Sequence, residues 1–169
     1  AKTLPPYYEM VCGLVPGLQA AALGAAQPND FAAWQPDIVL VHLGYNDGFA
    51  LDEPPFQDGF CLRRGPDGLP DTETAERFVQ CGVAFLKKLR RCNPGARLVW
   101  AYGMFGQVMQ PYIMEAIRRY TGESGDTVQY VPLPPTPSEQ IGANNHPSAA
   151  AHTVVAKILS DALRPLLPQ

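Results

Sequence analysis

Two short stretches hold residue types that could move a proton and stabilise a negative charge. The first is Gly142-Ala143-Asn144-Asn145-His146-Pro147-Ser148, which sets a histidine between two asparagines and a proline, ahead of an alanine-rich segment of helical character. An imidazole titrates near neutrality, so His146 can take a proton from a hydroxyl and return it to a leaving group. The second is Gly44-Tyr45-Asn46-Asp47-Gly48. The Asn46 carboxamide can donate to a developing oxyanion. A base and an oxyanion donor are two parts of an acyl-transfer site. Each residue also has a plain structural role: His146 could simply precede the final helix, and Asn46 stands in a turn-prone run.

Both stretches sit where an α/β sheet would present them. Asp37 to Gly44 is a short, nearly continuous apolar run, launched by Pro36, and reads as a strand covered on both faces. Asp71 is the expected N-cap of a helix, with Glu73 and Glu76 near its positive end. Ala75, Phe78, Val79, Gly82, Leu86 and Leu89 then recur on one face until Asn93-Pro94-Gly95 ends the element. A second strand is expected at Arg97–Tyr102 and a second helix at about Gln110–Tyr120, with Pro111 in its first turn. A third strand follows at Thr127–Val131, and Ser148 is the expected cap of a last helix whose core face holds Val154, Val155, Ile158, Leu159, Ala162 and Leu163. The alternation of strands and helical crossovers predicts a parallel sheet wrapped by helices on both sides. Its ligands would gather at the carboxyl ends of the strands, where both chemical stretches fall. Before the first strand, Pro5–Val15 reads as a broken helix and Leu18–Leu23 as a turn or two of another. Asp52–Pro70 reads as a long surface loop.

A chain of 169 residues, 46% hydrophobic, suits one globular domain spanning residues 1–169. The formal net charge of −3 argues against a nucleic-acid partner. Apolar runs are all interrupted well short of the about 18 residues a membrane span needs, so no membrane partner is expected. Lys87-Lys88-Leu89-Arg90-Arg91 closes a helix, where cations complement the dipole and face water. Cys12, Cys61, Cys81 and Cys92 show no paired spacing and read as free thiols, mostly buried. His42 reads as a hydrogen-bonded core residue, and His152 as packing or support for the site. No metal is implied, because the three histidines lack ligand spacing. The opening Ala1-Lys2-Thr3 has no initiator methionine or leader, as if cut from something longer.

The stretch "PDIVLVHLGYNDG", followed about a hundred residues later by "NNHPSAAAH", resembles the third and fifth blocks of SGNH (GDSL-like) hydrolases. "RLVWAYGMFG", "VPLPPT" and "GANNHPSAAAH" are similar, more narrowly, to carbohydrate esterase family 2 and related acetylesterases. The resemblance runs from about Leu4 to Leu163. It implies a flavodoxin-like three-layer α/β/α sandwich, with Asn46 as oxyanion donor, His146 as general base and Asp47 holding the loop. It also implies that Tyr45, Trp100, Tyr102 and Met104 lie near the acyl or sugar-binding cleft, and that no cofactor is needed.

The departures from the family pattern shape the expected mechanism. The nucleophile block with its serine, and the block with the oxyanion glycine, have no counterpart here. Ser124, Ser138, Ser148 and Ser160 all fall late in the chain, outside such a context. The N-terminal strands of the usual fold are also lacking, so a preceding segment of the same gene product is the expected partner that completes the sheet and brings Ser and Gly. Many SGNH enzymes orient the histidine with an Asp two or three residues before it, where this chain has Asn144 and Ala143. A Ser-His dyad is therefore expected, its ring held by a backbone carbonyl or, second, by Asn144. The function implied is removal of small acyl groups, acetyl first, from an acylated carbohydrate. A non-catalytic carbohydrate-binding or scaffolding module, and a lipase or thioesterase of the same fold, are the alternatives.

Overall fold

The computed structural model describes residues 7–11, 17–24, 27–54 and 60–168. Most of the broken helix expected over Pro5–Val15, and Cys12 with it, lies outside the described residues; of the other cysteines, all free, only Cys92 is buried, Cys81 being exposed and Cys61 half-buried in a loop. In chain order the elements are α1 (Leu18–Ala22), β1 (Ile38–Val41), α2 (Tyr45–Phe49), α3 (Thr72–Cys92), β2 (Arg97–Tyr102), α4 (Gln110–Ser124), β3 (Val128–Pro132) and α5 (Ala149–Leu163). The three strands form one parallel sheet in the order β1-β2-β3.

The period of two along β2 builds the layers. Leu98, Trp100 and Tyr102 join one buried cluster with Val79, Leu86 and Leu89 of α3 and Ile113, Ala116 and Ile117 of α4. Val99 and Ala101 point the other way and pack with Val131, Ala151 and Val155, the last two from α5. Helices therefore cover both faces, as the resemblance to a flavodoxin-like α/β/α sandwich implied. α3 and α4 approach closely at Gly82, where an added Cβ would lie 2.8 Å from the Ala116 Cβ.

The helix signals act as expected at α3, where the Asp71 carboxylate accepts the Thr74 N–H at 2.8 Å. α4 runs four residues past its expected end: Gly122 is carried inside the helix, and left-handed Gly125 closes it. Ser148 stands at the N-cap of α5, but its hydroxyl makes no capping bond. β1 departs most from expectation. Only Val41 is buried, and Leu40 is exposed, because among the described residues β1 has a strand on one side only.

The amino end of the sheet is closed by charge. Arg90, from the last turn of α3, reaches Asp126 in a two-point pair at 2.7 and 3.1 Å and also donates to the Asn93, Pro94 and Ala96 carbonyls. Tyr120 donates to the same Asp126 at 2.5 Å. Desolvation pushes Asp126 upward, but the bonds from Arg90 and Tyr120 outweigh it and hold the carboxyl below its ordinary value. The basic run thus does not simply face water. Its other cations are paired too: Lys87 with Glu123, and Lys88 and Arg91 with Glu9.

Candidate active site

The histidine loop is shaped by its asparagines. Asn144 and Asn145 both adopt positive φ, 54° and 58°, a conformation that asparagine tolerates better than most side chains. The reversal is clamped by Gly142 N–H to the His146 carbonyl at 2.6 Å and His146 N–H to the Ala143 carbonyl at 3.1 Å. It turns the main-chain carbonyl of Asn144 toward the imidazole, with His146 Nδ1 2.7 Å from that oxygen. A carbonyl only accepts, so Nδ1 carries a proton, and in the neutral ring the lone pair then lies on Nε2. His146 is solvent-exposed, and among the described residues Nε2 has no hydrogen-bond partner. The orienting group is therefore the Asn144 backbone, and the ring is held in one tautomer without a carboxylate.

Asn46 stands on α2, a single short helix directly after β1. Gly44 makes the turn into it with φ 117°, and an added Cβ would meet Ile113 at 3.2 Å and Tyr102 at 3.3 Å. The Asn46 side chain is exposed and Asp47 is half-buried. Desolvation pushes the Asp47 carboxyl above its ordinary value, against a bond from its own backbone N–H. Asn46 and His146 leave the same, carboxyl, end of the parallel sheet. The ring of Phe105 bridges their two loops: it lies edge-on to Tyr45 at 5.1 Å and edge-on to His146 at 5.5 Å between centroids.

Trp100, Tyr102 and Met104 do not line a cleft: each is 3% exposed or less. Trp100 donates its indole N–H to the Leu43 carbonyl at 3.2 Å, and the Tyr102 hydroxyl accepts the Met109 N–H at 3.2 Å. Burial pushes Tyr102 up to about 12, so it stays neutral. Trp100 and Tyr102 are core because they share the helix-covered face of the central strand, and Met104, beyond the strand's end, joins the buried cluster on the opposite face, where an aromatic rim was expected. Tyr45 is half-buried, and its hydroxyl meets the Gly103 and Met104 N–H groups. His42 is not a core residue of the strand. It lies one residue beyond β1, exposed, with Nε2 3.0 Å from the Tyr45 hydroxyl.

Phe105 escaped notice in the sequence, although it follows the predicted end of β2 by three residues, where site groups collect. None of the four serines is bonded to His146. Ser124 Oγ donates to the Tyr120 carbonyl at the opposite end of the sheet, Ser138 lies near Glu139, and Ser160 is exposed on α5. Among the described residues no group of three or more His, Cys, Asp or Glu is placed to hold a metal ion, and no helix is long and apolar enough to cross a membrane.

Neither a protein-family model nor a curated protein matches the sequence. Solved structures do. An acetyl xylan esterase from the rumen bacterium Butyrivibrio proteoclasticus is 39% identical, with a TM-score of 0.88 over 96% of this chain and 45% of its own. A family two carbohydrate esterase from Clostridium thermocellum, in complex with cellohexaose, is 23% identical with a TM-score of 0.61, over 80% of this chain and 38% of its own. One from Cellvibrio japonicus is 19% identical with a TM-score of 0.64, over 96% and 40%. The last two carry the fold alone. The chain spans less than half the length of each of these enzymes. With near-complete coverage of this chain at 39% identity, its structural neighbours are carbohydrate esterases, family 2 enzymes among them, as the resemblance in the sequence implied.

Proposed function

We propose that the gene product carrying this chain is a serine carbohydrate esterase that removes small acyl groups, acetyl first, from an acylated sugar. The observation that carries the reading is the exposed His146 ring, held through Nδ1 by the Asn144 carbonyl at 2.7 Å, at the end of the sheet that also presents Asn46. Similarity to an acetyl xylan esterase points to acetylated xylan as the first substrate to try. In this reading a serine supplied by a preceding segment of the same gene product attacks the ester carbonyl. Nε2 of His146 takes the hydroxyl proton and returns it to the sugar oxygen as the acyl-enzyme forms. Water then enters by the reverse use of the same base. Asn46, with backbone N–H groups, stabilises the tetrahedral oxyanion. The Asn144 carbonyl steadies the imidazolium as a neutral dipole, which makes the catalytic unit a Ser-His dyad. In this reading Asp47 holds α2 and takes no part in the proton transfer.

The preceding segment has a natural place on the outer edge of β1. Among the described residues that edge carries no strand, and Leu40 of β1 is exposed. A strand added there would pair with the main chain along that edge.

The test uses the full-length gene product. Labelling by a fluorophosphonate probe, together with acetate release from acetylated xylan and p-nitrophenyl acetate, is the expected result. Glycan binding with neither labelling nor acetate release would replace the esterase by a binding module, and a preference for long acyl chains would replace it by a lipase or thioesterase.

A further inference from the structure

The hydroxyl of Tyr45 has three partners: the Gly103 N–H at 2.7 Å, the Met104 N–H at 3.0 Å and Nε2 of His42 at 3.0 Å. The two main-chain groups can only donate, so they occupy the lone pairs of the oxygen. Its single proton is left for the third partner. His42 Nε2 must therefore accept, which puts the His42 proton on Nδ1 and requires a neutral ring. Partial desolvation of His42 and the charge of nearby His152 both push it below its ordinary value, in keeping with that state. With both lone pairs and the proton used, the Tyr45 hydroxyl has nothing left for a ligand.

The same residue joins the two halves of the candidate site. Tyr45 opens α2, and Asn46 is its neighbour in the chain. Gly103 and Met104 lead into Phe105, whose ring packs against both Tyr45 and His146. Gly103 itself has no room to give way, since an added Cβ at φ 146° would lie 1.8 Å from the Leu133 carbonyl oxygen. The Tyr45 ring is further stacked on Tyr102, with centroids 4.5 Å apart and planes at 19°. We propose that Tyr45 is a positioning residue: its hydroxyl ties the turn at residues 103–105 to α2 and thereby sets Phe105, and through it the His146 ring, relative to Asn46. What those two groups then do rests on the esterase reading; the tie itself does not.

The experiment is nuclear magnetic resonance on the isotope-labelled full chain, comparing wild type with Tyr45→Phe. Loss of the hydroxyl leaves two amides without an acceptor, so hydrogen exchange at Gly103 and Met104 should quicken about tenfold. The amides of Leu98 to Ala101 should keep their rates, and the His146 Cε1–H resonance should move. Unchanged rates at Gly103 and Met104, a uniform rise along β2, or a His146 resonance at its wild-type position would each overturn the proposal. Should Tyr45→Phe fail to fold, His42 carries the test. His42→Gln, which still offers an accepting oxygen, should keep the wild-type exchange and resonance, whereas His42→Leu should change both; identical behaviour of the two overturns the proposal. In the full-length gene product, Tyr45→Phe should lower kcat on p-nitrophenyl acetate about tenfold with KM unchanged. Wild-type inactivity on every ester would end the esterase reading without touching the resonance result.

Discussion

The two ends of the parallel sheet are held by opposite kinds of chemistry. At the amino end, Arg90 spends its guanidinium on Asp126 and three main-chain carbonyls, and Tyr120 adds its proton to the same carboxylate. The groups there answer one another within the chain, and ionised partners make the bonds strong. At the carboxyl end the links are neutral: rings stacked or set edge to face, a phenol between two amides and an imidazole, and a carbonyl on His146 Nδ1. That network stops at two exposed groups, Nε2 of His146 and the amide of Asn46, which among the described residues take no hydrogen-bond partner. One end is built to stay shut, the other to hold a few atoms still while leaving their chemistry available.

This contrast breaks most sharply at His146. In the full-length gene product, His146→Ala should lower kcat for acetate release at least about 10³-fold, because under the proposed esterase mechanism the hydroxyl nucleophile would lose its base. The urea midpoint of the same variant should shift little, by less than about 0.5 kcal/mol, since an exposed ring on a loop contributes little packing. A large loss of stability would show that the histidine belongs to the fold.

Arg90→Met should behave the other way. It leaves Asp126 partly desolvated without its cation and frees three carbonyls, which should destabilise the chain by about 2–4 kcal/mol in urea unfolding. Activity per folded molecule should stay within about twofold. A fall in kcat at full folding would mean that the two ends are coupled through β2.

The pair also predicts an acid limb. Asp126 is held below its ordinary value in the folded chain, so its contribution is fully present above the unfolded carboxylate range. It is lost as pH falls below about 4 toward the folded value. The urea midpoint of wild type should therefore drop through that window. In Arg90→Met that part of the slope should flatten, and an unchanged slope would assign acid sensitivity to other carboxylates.

Some of this organisation was legible in the residues. The bounds of β2 follow from a strand pattern between Gly95 and Gly103, and the α3 cap from Asp71 placed three residues before Thr74. His146 and Asn46 could be placed on one sheet edge because parallel topology sends every βα loop to the same side. Other features were hidden for physical reasons. α2 is one turn long, too short to show a period, so Tyr45-Asn46-Asp47-Gly48 reads as a turn. The period of two sorts Trp100 and Tyr102 onto one face of β2, yet cannot say whether that face meets helices or a cleft. The exposure of β1 and the place of His42 depend on which strand is its neighbour, and that is a tertiary fact with no local signature.

The smallest expected effect separates the backbone of Asn144 from its side chain. His146 is held by a main-chain oxygen, and what the chain needs at residue 144 is the left-handed conformation, φ 54° and ψ 35°, that aims that oxygen. Asn144→Gly removes the carboxamide but adopts positive φ without steric cost, so acetate release should remain within about twofold of wild type. Asn144→Ala also lacks the carboxamide but strains the turn, by about 1 kcal/mol, and should be the less active and less stable of the two. Asn144→Val, branched at Cβ, should be worse again, because it drives the carbonyl away from Nδ1. If glycine instead proved as damaging as valine, the orienting group would be the side-chain amide, and the open carboxyl end would depend on one more side chain than its geometry shows.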